Sequence, residues 1–308
     1  MTALEVPQIS TDVYIPDGMN RLRFPYDAAS DIEITMGTSD HPLFRAARQM
    51  EHDTFVSLND RPAPFPTPDR DEFLKYNPFS VVTYAELVPR SDNSDTIPRL
   101  MGMNRFIPHT PELGIKTVTD LAELPTRTQD LATRDKVVEA LLHKGSAECT
   151  EEEIAPEALE KVILDRLCRE NGSCDPSTLI DIATLAPDMT LEHDQKMPVI
   201  NALLGATTIY LLRAKLDLDH TGTTGYDHYL QFTDRHFAHL MRSLGYPSDP
   251  ISGLAKVLYD TDGDGIAMVA NPQITAVETL RKSVMGADPA SHLGAIATIY
   301  RRHFGQDI

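Results

Sequence analysis

Residues 31–37 (DIEITMG) alternate apolar and polar side chains, the two-residue period of a half-buried strand. Leu22 to Tyr26 reads as a shorter strand within an N-terminal arm, residues 1–30. From His41 to Leu58 the period changes. Leu43, Ala46, Ala47, Met50 and Thr54 recur at helical spacing, and Asp40 with Pro42 offers an N-cap and a first-turn proline. The stretch 61–68 (RPAPFPTP) must be an extended loop, because proline denies both ladder and helix an N–H. A β-branched run, 78–87 (PFSVVTYAEL), and a second strand, 99–108 (RLMGMNRFIP), follow, joined by the polar turn 89–95. They predict a hairpin. Residues 118–175 are helical in pattern and rich in Glu, with Thr150 and Glu153 spaced as a capping box. Strand character returns at 177–186 (STLIDIATLA). A long helix is expected over 198–216, opened by Pro198, then a strand over 225–234 and a helix over 235–246 ended by Gly245. A hairpin is expected over 255–260 and 265–271, with closing helices over 273–285 and 289–304.

Strands alternating with helices imply an α/β (α+β mixed) fold: a mixed central sheet with helices on both faces, a helical insert and a helical C-terminus. No GxGxxG or Walker sequence is present, and no repeat of 20–50 residues. At 308 residues with 41% apolar and 24% charged positions, the chain can bury a sizeable core. The formal charge of −18 argues against nucleic acid or anionic membrane as a partner, since both need clustered Lys and Arg. No run of 18 apolar residues and no basic-then-apolar leader is present, and the odd cysteine count suits a reducing cytoplasm.

Four local patterns in order resemble the GNAT (N-acetyltransferase) superfamily, nearest its acyl-homoserine-lactone-synthase-like branch. The helix 47–55 precedes the acidic stretch 68–77 (PDRDEFLKYN), where Asp69, Asp71 and Phe73 match acidic and aromatic positions of that branch. Residues 100–110 (LMGMNRFIPHT) are similar to its G-x-x-R strand through Gly102 and Arg105. Residues 179–186 (LIDIATLA) resemble its central strand, with Asp181 in place of a Glu and Thr184 where an Arg stands. Residues 229–246 resemble its late strand and helix ending in Gly-Tyr. The likeness spans about residues 31–271, leaving 272–308 as C-terminal helices.

The resemblance implies acyl transfer from a coenzyme A or acyl carrier protein thioester, as co-substrate, to a small-molecule amine. Such chemistry needs a base for the ammonium, donors for the oxyanion and an acid for the thiolate. Asp181, a carboxylate in an otherwise apolar strand, is the candidate base; it could instead recognise the amine or pair with Arg105. Arg105 suits a carboxylate or phosphate, or a salt bridge with Asp181 or Asp71. Tyr229 and Tyr226 are candidate acids, because Met241 stands where the family often has its tyrosine. Asp69, Asp71, Phe73, Thr184 and Thr233 are expected to bind substrate. Met189, Lys196 and Val199 would face the donor. The segment 186–198, where the family has a glycine-rich pyrophosphate loop, has no glycine here and carries Glu192 and Asp194. A carrier protein is acidic and would need a local basic patch, which Arg127, Arg134 and Lys136 could supply. A homodimer is a further possibility for the insert and the closing helices.

No metal is expected. Residues 260–265 (DTDGDG) copy the start of a calcium loop, but its twelfth position is Asn271 and its flanks are strands, which favours a hairpin turn. His236 and His239, near His228 and Asp234, have ligand spacing without the accompanying Cys or HExxH. Cys168 and Cys174 lack the partner base a nucleophile needs. The rival to an enzyme is a non-catalytic relative of the same fold that binds a ligand or partner; the second rival is an acyl-homoserine-lactone synthase proper.

Overall fold

The computed structural model describes residues 14–58, 74–90, 97–119, 122, 160–161, 164–165, 175–222, 225–247, 257–259 and 268–305. The described strands form one eight-stranded mixed sheet in the order β1-β2-β3-β4-β5-β6-β8-β7. They are β1 (Leu22–Pro25), β2 (Ser30–Gly37), β3 (Val81–Pro89), β4 (Arg99–Pro108), β5 (Leu179–Pro187), β6 (His228–Asp234), β7 (Val257–Tyr259) and β8 (Met268–Ala276). The helices are α1 (Phe44–Leu58), α2 (His193–Thr221), α3 (Arg235–Ser243), α4 (Val277–Met285) and α5 (His292–Phe304). β1 to β5 pair antiparallel in sequence order, β5 and β6 pair parallel, and β8 returns antiparallel between β6 and β7. The mixed sheet with helices on both faces is the architecture that the alternation of periods implies.

The two faces differ in chemistry. Alternation along β2, β3 and β4 sends Ile32, Ile34, Val81 and Phe106 to one side, where they join Phe24, Ile180 and the buried residues of α2 in the main core. α4 and α5 close the same core with Val277, Leu280, Leu293, Ile296 and Tyr300. Burying each such side chain contributes about 1.5–3 kcal/mol. α2 has 29 residues and passes a length-and-hydropathy test for a membrane span, yet most of it is buried inside the molecule. It lies close on the sheet at Gly102, where an added Cβ would sit 2.8 Å from Val199 Cγ1 and 3.0 Å from Leu203 Cδ1. The opposite face carries Val82, Tyr84, Met103 and Ala186 under α1, and buried polar and charged side chains as well.

Several boundaries fall elsewhere than the sequence pattern places them. α1 starts at Phe44, not near Asp40, because Thr38 and His41 close turns of their own and the His41 ring stacks on Tyr84 at 4.3 Å. Leu74–Phe79 is a 3-10 turn with Pro78 inside it, so β3 begins at Val81. α2 opens at His193, five residues before Pro198, with the Gln195 side chain accepting from the Glu192 N–H at 3.2 Å. Much of the expected donor loop is therefore helix. β8 runs on to Ala276 where a helix was expected from 273, because Gln273, Ile274 and Thr275 pair with β6. α5 starts at His292, capped by Ser291, rather than at 289. Of the insert, 118–119, 122, 160–161 and 164–165 are helical among the described residues. Thr150, Glu153, Arg127, Arg134, Lys136, the cysteines and the 260–265 turn lie outside the described residues.

Candidate functional site

The polar face of the sheet is organised around Arg105. Its cross-strand partners are Val82 on β3 and Thr184 on β5. The guanidinium is fully buried and forks onto Glu51 of α1, with Nε to Oε1 at 3.0 Å and Nη2 to Oε2 at 2.8 Å. Nη1 donates to Asn77 Oδ1 and Ser80 Oγ, both at 3.0 Å. The same Glu51 carboxylate also accepts from Arg48 Nη1. At least four of the five Arg105 donors are thus spent on described residues of the protein. Among the described residues the carboxylate that holds Arg105 is Glu51, where a pairing with Asp181 was one expectation; the other expected partner, Asp71, lies outside the described residues. Arg105 ties α1, the 3-10 turn and β4 together. The Phe44 ring lies 5.7 Å from the guanidinium carbon.

Asp181 is fully buried on the same face, opposite Ile107 of β4 and Leu230 of β6. Its Oδ2 accepts the Thr117 N–H at 2.7 Å, so it caps the helical turn at 116–119 where the insert leaves β4. Tyr76, Ile107, Leu113 and Ala183 form the apolar cluster beside it. Lys116 is buried with its ammonium 6.0 Å from the Tyr76 ring centre.

Between Asp181 and Thr184 the ladder changes. Arg105 pairs with Thr184 but Phe106 pairs with Ile182, so Ala183 is an extra residue, a β-bulge that turns Ala183 and Thr184 toward one face. On the other edge, β5 and β6 pair only from Leu179↔His228 to Ile182↔Gln231. Both strands continue, to Pro187 and Asp234, without further pairing to each other. The sheet parts there. Thr184 stands at the parting, 5% exposed, and its hydroxyl makes no hydrogen bond among the described residues.

Tyr229 does not converge with Asp181 and Arg105. It pairs with Ile180 and points into the α2 core, on the opposite face of the sheet. Burial pushes its hydroxyl up to about 12, with the neighbouring Thr275 side chain pulling the other way. Tyr226 belongs to the same core. Val199 is buried there against Gly102, so it supports the sheet from beneath. Met189 lies half-buried in the turn before α2, and Lys196 half-buried in its first turns. Thr233 lies on β6 past the parting, paired with Asn271 of β8. Asp69, Asp71 and Phe73 are outside the described residues. Among the described residues no group of His, Cys, Asp or Glu could hold a metal.

Glu51, Arg48, Asn77 and Ser80 were not anticipated. A signal for Glu51 exists: it falls between Ala47 and Thr54 on the buried stripe of α1, where a carboxylate requires a partner.

Four histidines share one electrostatic feature. Burial lowers His41, His109, His228 and His292 from their ordinary value of 6.5; Asp175 and Asp227 partly offset this at His109 and His228. Between the lowered values and 6.5 the unfolded chain binds more protons than the folded one. Stability is therefore full above about 6.5 and falls as the pH drops below it. Thermal melts from pH 7.5 to 5 should show a falling midpoint. His292→Gln should flatten that slope, since His292 is buried beside the Tyr246 hydroxyl at 3.2 Å.

No protein-family model matches the sequence, and no curated protein does. Among solved structures, the chain is similar to FeeM, an N-acyl amino acid synthase from uncultured soil microbes. That likeness has a TM-score of 0.41 and 14% identity, over 82% of this chain and 95% of FeeM. It is similar to TofI, in a ternary complex with an inhibitor and MTA, at TM-score 0.40 and 12% identity over 83% and 98% of the two chains. It is also similar to BjaI, a CoA-dependent acyl-homoserine lactone synthase with SAM and isopentyl-CoA. There the TM-score is 0.37 and the identity 9%, over 86% and 98%. Identities this low say nothing about substrates.

Proposed function

We propose that this chain is an N-acyltransferase, moving an acyl group from a coenzyme A or carrier-protein thioester to the amine of a small molecule by direct attack. The observation that carries the reading is the parting of β5 from β6 beyond Ile182 and Gln231, beside a bulge and a polar face. An extended, amide-bearing thioester arm can add to the β5 edge as a strand would, with main-chain hydrogen bonds. The same edge can offer N–H groups to the thioester oxyanion. The α2 side of the sheet is filled by core, so the amine reaches the carbonyl from the α1 side, where Asp181 and Thr184 stand. The amine nitrogen bonds to the acyl carbon, its proton passes to Asp181, and the C–S bond breaks with its electron pair leaving on sulfur as a thiolate that solvent protonates. The four-motif resemblance of the sequence supports the same chemistry.

The donor's phosphates are held less strongly than its arm. Glu192 and Asp194 stand at the start of α2, one N–H there is taken by Gln195, and Lys196 is the nearby cation. Incubation with acetyl-, octanoyl- and palmitoyl-CoA, followed by native mass spectrometry, should show one of them bound. Adding an amino acid, a polyamine or S-adenosylmethionine should then release free thiol. No bound thioester and no released thiol would overturn the reading. A non-catalytic thioester-binding protein is the second reading, favoured by the commitment of Arg105 to Glu51, Asn77 and Ser80. It expects binding without amine-dependent release.

A further inference from the structure

The Thr184 hydroxyl is at odds with its surroundings. Buried polar side-chain atoms in native proteins are almost always hydrogen-bonded, and those that are not need a reason. Thr184 is 5% exposed and its Oγ1 has no partner among the described residues. Its neighbour across the ladder, Arg105, is turned to Glu51, Asn77 and Ser80 instead. The bulge at Ala183 sets Thr184 on the α1 face, where the β5 edge has just lost its β6 partner. A hydrogen-bonding group is thus held buried at the parting, without a partner among the described residues.

We propose that the Thr184 hydroxyl receives the acceptor, taking a hydrogen bond from its amine as it nears the thioester carbon; this rests on the acyl-transfer reading. A hydroxyl can accept from an N–H while leaving the nitrogen lone pair free to point at the carbonyl. The donor arm meets main-chain groups in the plane of the sheet. The acceptor meets a side chain that stands out of that plane. Thr184 is therefore a substrate-positioning residue for the acceptor half of the reaction and not for the donor half.

Thr184→Val removes the hydroxyl and keeps the shape; Thr184→Ser keeps the hydroxyl. Each is compared with the wild-type chain in three measurements. These are thiol release from acetyl-, octanoyl- or palmitoyl-CoA driven by glycine, spermidine or S-adenosylmethionine, thioester Kd, and thermal midpoint. Thr184→Val should lower kcat/KM for the amine about tenfold or more, with the thioester Kd unchanged. Its thermal midpoint should equal or exceed that of the wild type, because an unsatisfied buried hydroxyl has been removed. Thr184→Ser should restore amine use. Undiminished kcat/KM for the amine in Thr184→Val would overturn the assignment, as would a weakened thioester Kd. So would a lowered thermal midpoint, which would mean that the fold itself uses the hydroxyl. If the wild-type chain releases no thiol with any of these amines, the acyl-transfer reading falls before any variant is made, and this role with it.

Discussion

Glu51→Ala is expected to destabilise the protein by about 3–5 kcal/mol, the usual consequence of removing one partner from a buried ion pair. Glu51 is 1% exposed and its two oxygens meet Arg105 twice and Arg48 once. Without it, two buried guanidiniums lose the carboxylate between them, and α1 loses its polar tie to β4. Glu51→Gln keeps the shape and one acceptor oxygen but not the charge, so it should fall between wild type and alanine. Replacing Arg48, Glu51 and Arg105 together by apolar residues of similar volume should recover much of the loss, because the desolvation of three charges disappears with them. Urea denaturation of the four proteins is the check. A Glu51→Ala loss below about 1 kcal/mol, the range of exposed pairs, would mean that the cluster is solvated.

Asp181 separates chemistry from architecture. An asparagine oxygen can still accept the Thr117 N–H, so Asp181→Asn should keep its thermal midpoint close to that of the wild type. It cannot take a proton. Loss of a general base lowers turnover by about 10²–10⁴-fold, and that is the expected fall in kcat for Asp181→Asn. Asp181→Ala should lose turnover equally and, in addition, about 1–3 kcal/mol of stability, because the Thr117 N–H is left without its acceptor. Amine-dependent thiol release and thermal melts on both variants decide it. Full turnover in Asp181→Asn would reduce Asp181 to the cap of the insert.

The sheet was readable because its strands carry their own evidence. Val81–Pro89 is β-branched, Arg99–Pro108 follows it across a long polar turn, and the alternation of 31–37 survives in the burial of β2. The start of α2 was not readable. Pro198 marks a first turn in most helices, and only the Gln195 cap, a contact between side chain and backbone, sets the true start at His193. The site was half readable. Asp181 and Arg105 stand out as charges in apolar strands, and both are fully buried. Their described partners come from 25 to 64 residues away, distances over which pattern carries no information. The face of Tyr229 depends on the parallel register of β5 with β6, which no feature of either strand announces.

The main core is shared between the two ends of the chain. Met19, Leu22 and Phe24 meet α2 and α5, and Gly18 touches His303. During synthesis the first four strands are complete well before their cover exists. About 110 residues separate the end of β4 from the end of α2, and α5 follows later still. At roughly 5–20 residues per second the ribosome needs several seconds to supply α2. For that interval the face bearing Phe24, Ile32, Ile34, Val81 and Phe106 has nothing to rest against. A nascent chain halted there presents a sticky apolar sheet, which makes chaperone dependence and aggregation of C-terminal truncations the natural hazards of this topology.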